Sequence, residues 1–155
     1  MYFCEFADHI TKENNDEKEI LKLLYQTLRA VAKGTIELRT IRIVFEFKIA
    51  ALSGLAPQVF ECVKCGKTEA GYSFSASCGG LLCEDCITED RTAIKLGTSS
   101  VYTLQYIMSK EVEKLYTFKV SSEVQNELES CARRYIRHYI DYEFKSNELI
   151  QTLTK

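Results

Sequence analysis

Ile20, Leu24, Leu28 and Val31 recur at intervals of three and four, the spacing that lines one face of an α-helix, and they outline the first element the chain predicts. Asn15 or Asp16 can cap its start, Asp16 and Glu19 have the spacing of a capping box, and Gly34 stops it. The next segment carries two patterns at once. Ile41, Ile43, Phe45, Phe47 and Ile49 alternate with Arg42, Val44, Glu46 and Lys48 at the period of a strand. The run continues through Ala50-Ala51-Leu52 without a turn signal and ends at Ser53-Gly54, which favours a buried helix with apolar residues on more than one face. Further on, Thr98, Ser99 and Ser100 precede Val101, Leu104, Ile107 and Met108, so a hydroxyl cap opening a short amphipathic helix is expected. Ser122 and Gln125 have capping-box spacing before Val124, Leu128, Cys131, Tyr135 and Tyr139, which predicts a long last helix ending near Lys145 or beyond.

The clearest boundary is Ser53-Gly54 followed by Pro57, the single proline, just ahead of a cysteine-rich stretch. Cys62 and Cys65 form one CxxC pair and Cys83 and Cys86 another, with seventeen residues between the pairs. That spacing is typical of a zinc site: two residues between thiolates let both meet one ion, and two pairs complete a tetrahedron of soft sulfur ligands. Gly66 can take the positive φ of the tight turn after the first pair. Tyr72-Ser73-Phe74 and Leu81-Leu82, separated by Gly79-Gly80, read as the arms of a small hairpin leading to Cys83. Glu84-Asp85-Cys86 would open a short helix, whose N-terminal field should help Cys86 ionise. Four thiolates leave zinc no open position, so a structural ion is expected. Cys4 and Cys131 sit singly on apolar patterns and read as small core residues, while Cys78 could be a spare thiol or a competing ligand. The rival readings of the same cysteines are a stand-alone zinc-finger module for protein interaction or transcription, and a thiol redox switch at a CxxC.

At 155 residues with 46% apolar content, the chain suffices for one core, so a single domain, 1–155, with a small insertion at about 60–90 is expected. The fold class is mainly α: a bundle-like helical domain with an inserted four-cysteine finger containing a β-hairpin. Met1-Tyr2-Phe3-Cys4-Glu5 has neither a basic region nor a continuous apolar core of a leader, so the seven cysteines read as reduced and cytosolic. No apolar run approaches the roughly 20 residues that cross a bilayer.

The net charge of -2 argues against a general electrostatic grip on nucleic acid. The finger sharpens this, since Lys64, Lys67 and Arg91 face Glu61, Glu69, Glu84, Asp85, Glu89 and Asp90. The one dense basic cluster is Arg133, Arg134 and Arg137, with His138 beside it and Lys145 two turns on. These arginines and Lys145 are the candidates for contacting a phosphate or an acidic peptide, set against a solvated face balanced by Glu127, Glu129 and Asp141. His9 and His138 have no evident nucleophile partner, and no phosphate-binding loop or nucleophile elbow is present, so no enzyme activity or small-molecule substrate is expected.

Several patches together resemble the C-terminal region of RecO, the bacterial recombination mediator. They are Phe45-Glu46-Phe47-Lys48 leading to Gly54-Leu55-Ala56-Pro57, Cys62-Val63-Lys64-Cys65-Gly66-Lys67, Gly79-Gly80-Leu81-Leu82-Cys83, and Tyr139 to Phe144 followed by Lys145-Ser146. The resemblance implies a helical domain whose finger binds zinc through Cys62, Cys65, Cys83 and Cys86, and a helix over Ile41–Leu52. It implies a non-enzymatic role in recombinational repair: binding and annealing DNA, and acting with RecR and single-stranded-DNA-binding protein to load RecA, in the bacterial cytoplasm at the nucleoid. The family's N-terminal OB-fold, a major DNA-binding surface, has no counterpart in this sequence, so the expectation is a fragment whose partners are proteins first and DNA second.

Overall fold

The computed structural model describes residues 3, 17–69 and 71–139. Asn15, Asp16, Cys4, His9 and Lys145 lie outside them. Among the described residues there are four helices, α1 (Glu17–Lys33), α2 (Leu38–Leu52), α3 (Thr98–Ser109) and α4 (Ser122–Tyr139), and a three-stranded antiparallel sheet of β1 (Tyr72–Ser75), β2 (Gly80–Cys83) and β3 (Ile94–Lys95) in the order β2-β1-β3. Two 3₁₀ turns, Glu84–Glu89 and Val112–Lys114, complete the described elements. No described helix is long and apolar enough to cross a membrane.

The segment with two competing patterns is the helix α2, and its surroundings explain both. Thr40, Ile41 and every residue from Ile43 to Ala50 are buried, because α1, α3 and α4 all pack against it. A helix enclosed on all sides needs apolar residues at every angle, and such a run imitates alternation. The polar members of the run have partners. Arg42 Nε donates to Glu46 Oε1 at 3.0 Å, and Lys48 Nζ donates to the carbonyls of Ile107 at 3.2 Å and Lys110 at 2.8 Å. Lys48 thereby satisfies orphan acceptors at the C-terminal end of α3 with a positive charge at the negative end of the helix dipole. Burial lowers the pKa of Lys48, with Glu19 opposing.

The buried face of α1 is rotated from the expected stripe. Ile20, Leu23, Thr27 and Ala30 point inward, Leu24 and Leu28 are half-buried, and Val31 is 40% exposed. Thr27 can occupy the core because its hydroxyl donates to Leu23 O at 2.7 Å and pairs with the Tyr116 hydroxyl at 2.6 Å. Gly34, at φ 71°, follows with its amide on Ala30 O at 3.2 Å, as expected of a helix stop.

Both predicted hydroxyl caps are displaced. The cap of α3 is Gly97, with no side-chain cap of its own. Glu127 of α4 serves instead: it accepts the Gly97 amide at 3.0 Å on one carboxylate oxygen and the Ser100 hydroxyl on the other. At α4 the cap is Ser121, whose Oγ accepts the Val124 amide at 3.3 Å, one residue earlier than Ser122. Gln125 is released to the interior, where its amide donates to Thr40 Oγ1 at 2.8 Å and Glu37 Oε2 at 3.2 Å. The α4 helix is also joined to the α2 region by Arg39 donating to Glu129 and by the Tyr135 hydroxyl donating to Leu55 O.

The cysteine stretch begins where Gln58 forms a parallel bridge to Gly80, with the Gln58 amide on Gly79 O and the Leu81 amide on Gln58 O, each at 2.9 Å. A Cβ on Gly80 would lie 2.2 Å from Gln58 O and 2.8 Å from Gln58 N, both backbone atoms that cannot swing aside. Gly80→Ala is therefore expected to destabilise the fold by about 3 kcal/mol, read as a fall in the urea midpoint at unchanged slope.

Candidate metal centre

The first cysteine pair sits in a knuckle closed by the Cys62 amide on Lys67 O at 3.0 Å and the Gly66 amide on Cys62 O at 2.9 Å. Gly66 has φ 76°, the left-handed conformation that this turn requires. The second pair starts at Cys83, the last residue of β2, and the 3₁₀ turn that follows brings Cys86 back beside it. The arms are tied together by the Val63 amide on Leu81 O at 2.9 Å and by the Tyr72 hydroxyl on Lys67 O at 2.7 Å.

The Sγ atoms of Cys62, Cys65, Cys83 and Cys86 consequently lie within 4.8 Å of one another, and those of Cys65 and Cys83 are 3.5 Å apart. Metal–sulfur bonds of about 2.3 Å in a tetrahedron require sulfurs about 3.8 Å apart, so the cluster could hold a metal ion with small adjustments. Cys62 and Cys83 are buried, Cys86 is half-buried and Cys65 is exposed.

The surroundings shift three of these thiols, Cys62, Cys65 and Cys86, in different directions. Burial raises the Cys62 thiol, yet the amides of Cys65, Cys83 and Lys64 outweigh it and bring the pKa down to about 6. Burial pushes Cys86 up to about 12, reinforced by hydrogen bonds shared with the other three sulfurs. The Lys67 amide lowers Cys65, but its contacts with Cys83 and Cys62 and its desolvation raise it on balance. Cys86 is thus the reluctant member, contrary to the expectation from its helix start. The turn is a six-residue 3₁₀ segment with Glu84 and Asp85 in its first turn, so its weak positive end is answered by carboxylates. Crowded sulfurs resist ionising together, and a bound cation is what relieves them.

Cys78 is not in the group. It lies in the β1–β2 turn beyond the Ser75–Gly80 pair, whereas Cys83 pairs with Tyr72 at the other end of the hairpin. Three residue steps of strand separate the two ends, about 10 Å. At that far end Asp90 acts as a staple that the sequence pattern did not single out. It accepts Ser75 Oγ at 2.6 Å, Ser77 Oγ at 3.1 Å and the Thr92 amide at 2.9 Å, and Ser75 Oγ in turn accepts the Cys78 amide at 3.1 Å. The Ser75 and Thr92 hydrogen bonds hold the Asp90 carboxyl down at about 2, from 3.8. A depressed carboxylate contributes stability above its unfolded pKa and loses it as pH falls toward the folded one. Replacing Asp90 with Asn should cost about 1 kcal/mol at neutral pH, discounted for partial exposure. The gap between variant and wild type, read by urea unfolding, should close as pH falls from 3.8 toward 2.

The basic candidates are only partly available. Arg133 pairs with Glu129 at 3.0 Å, and Arg134 donates to Thr92 O, linking α4 to the loop after the 3₁₀ turn. Arg137 and His138 are exposed, and Lys145 lies outside the described residues.

Fold and site define a helical domain with a four-cysteine cluster on a β-hairpin. Residues 1–148 match the family described as Recombination protein O C terminal, and the chain belongs to that family. It is 32% identical over 154 residues to the DNA repair protein RecO of Alkaliphilus metalliredigens (strain QYMF), covering 98% of this chain and 63% of that protein. It is 33% identical over 156 residues to the DNA repair protein RecO of Desulforamulus reducens, covering 99% of this chain and 60% of that one. The corresponding protein of Roseiflexus sp. is 33% identical over 147 residues, covering 94% and 52%. The chain thus spans about half to three-fifths of the length of these relatives.

Proposed function

We propose that this chain is the zinc-clipped helical part of a recombination mediator in DNA repair, acting through binding and without catalysis. The convergence of four thiol sulfurs within 4.8 Å on two knuckles carries the reading, because a closed sulfur tetrahedron suits a structural zinc ion and leaves no place for substrate. Membership of the RecO C-terminal family supports the repair role. In that role the chain works with RecR and single-stranded-DNA-binding protein toward RecA loading. DNA is held mainly by the OB-fold expected in longer relatives, and Arg137 with Lys145 offers a secondary contact for phosphate or acidic peptide. Arg133 and Arg134 contribute less, being engaged with Glu129 and Thr92.

Elemental analysis of protein purified without chelators should find one zinc per chain. Immobilised chain should retain RecR or single-stranded-DNA-binding protein, and Arg137→Glu should weaken only binding that depends on the basic edge. A chain that binds neither partner while a full-length relative binds both would place those contacts outside it.

A further inference from the structure

We propose that Cys65 and Cys83 form a peroxide-responsive pair that replaces the metal clip with a disulfide joining the two knuckles. The proposal rests on the zinc reading above. Its basis is the unequal exposure of the four cysteines: Cys65 is exposed, Cys62 and Cys83 are buried, and Cys86 is intermediate. An oxidant arriving from solvent therefore meets Cys65 first. The Cys83 sulfur already lies 3.5 Å away, and a bond of about 2.05 Å needs it to approach by about 1.5 Å.

The surroundings favour that approach across the knuckles. Lys67, two residues beyond Cys65, pairs with Asp85, two residues beyond Cys83, at 3.4 Å. The Tyr72 hydroxyl, on the residue paired with Cys83, also holds Lys67 O. These ties bracket the Cys65–Cys83 contact on the protein side and do not involve the ion. Cys62 is buried, so an oxidant from solvent reaches it after Cys65.

With hydrogen peroxide as the oxidant, the Cys65 thiolate attacks one peroxide oxygen and becomes a sulfenic acid. The other oxygen leaves as hydroxide and is protonated to water. The Cys83 thiolate then attacks the Cys65 sulfur, the S–S bond forms, and the sulfenic oxygen leaves as a second water after taking up a proton. Two electrons pass from the two sulfurs to one peroxide. Cys65 and Cys83 would then no longer be available to hold an ion, while Cys62 and Cys86 remain reduced. The two arms stay joined, so the exchange preserves the finger and a thiol reductant with zinc reverses it.

The test is peroxide titration of the zinc-loaded chain, with zinc release followed by a chromogenic chelator, disulfides mapped by peptide mass spectrometry, and fold followed by circular dichroism. One zinc released per Cys65–Cys83 bond, with the helical signal retained and with zinc rebinding after reduction, is the expected result. Cys78→Ser, outside the four-sulfur group, should leave both the peroxide-driven release and the Cys65–Cys83 bond unchanged. A bridge within either CxxC pair, a sulfinic acid at Cys65, or zinc loss with every thiol still reduced overturns the proposal. If the isolated chain carries no zinc, the metal reading fails on its own, and peroxide treatment of that chain still decides whether Cys65 and Cys83 pair.

Discussion

Withdrawing zinc from the reduced chain with a strong chelator is expected to unfold more than the finger. In zinc-finger peptides the ion supplies on the order of 10 kcal/mol of folding free energy, comparable with the roughly 5–15 kcal/mol net stability of a whole domain. Loss on that scale cannot be confined to residues 60–90, because the buried residues of the finger and of the helices form one cluster. Val59, Cys62, Tyr72, Phe74, Leu81, Leu82 and Cys83 belong to it together with Phe45, Phe47, Leu128 and Tyr135. Hydrogen exchange should show loss of protection in 60–90 first and in α2 and α4 with it. A zinc-free, reduced chain with native protection throughout would falsify the structural role of the metal.

The second large effect is expected at Phe74, which sits on β1 at 1% exposure between two helices. Its ring meets Phe47 of α2 edge-on, with centroids 6.1 Å apart at 75°, and Tyr135 of α4 at 5.9 Å and 69°. Such edge-to-face pairs add about 0.5–1.5 kcal/mol to area burial. Truncation removes both pairs and leaves a cavity at the junction of sheet and helices, so Phe74→Ala should cost about 4 kcal/mol by urea unfolding. Phe60→Ala is the matched control, since Phe60 is 48% exposed, and it should change stability by under about 0.5 kcal/mol. Equal losses at the two positions would mean that the hairpin is not anchored through Phe74.

Much of this architecture is legible in the residues. The four cysteines declare themselves because two CxxC pairs are a local spacing signal, and the fold gathers their sulfurs within 4.8 Å. The hairpin arms and the α2 helix follow from patterning and, for α2, from the family resemblance as well. The errors share one cause, which is that a periodic pattern says which residues can be buried and not which neighbours will arrive. Val31 fits the α1 stripe and yet is exposed, while Thr27 breaks the stripe and is buried because Tyr116, far along the chain, satisfies its hydroxyl. Local capping rules put hydroxyls at the starts of α3 and α4, but Glu127 reaches across from another helix to α3. Asp90 and Lys48 look like surface charges until the hydroxyls and carbonyls they meet are brought to them by the fold. The raised Cys86 thiol is hidden from the sequence for a similar reason, since burial and sulfurs from both knuckles crowd it only in the fold.

The links between α2 and α4 have a consequence for biosynthesis. Thr40 is held by Gln125, Arg39 by Glu129 and Leu55 by Tyr135, so each joins the stretch 39–55 to the stretch 125–135. A ribosome releases α2 long before α4 has been made, at about 5–20 residues per second. For several seconds the side of α2 that packs on α4 lacks that cover. This chain should therefore depend on its last helix to leave the vulnerable stage, and a nascent chain arrested before Ser122 should be markedly more sensitive to protease and more readily bound by chaperones than one carrying α4.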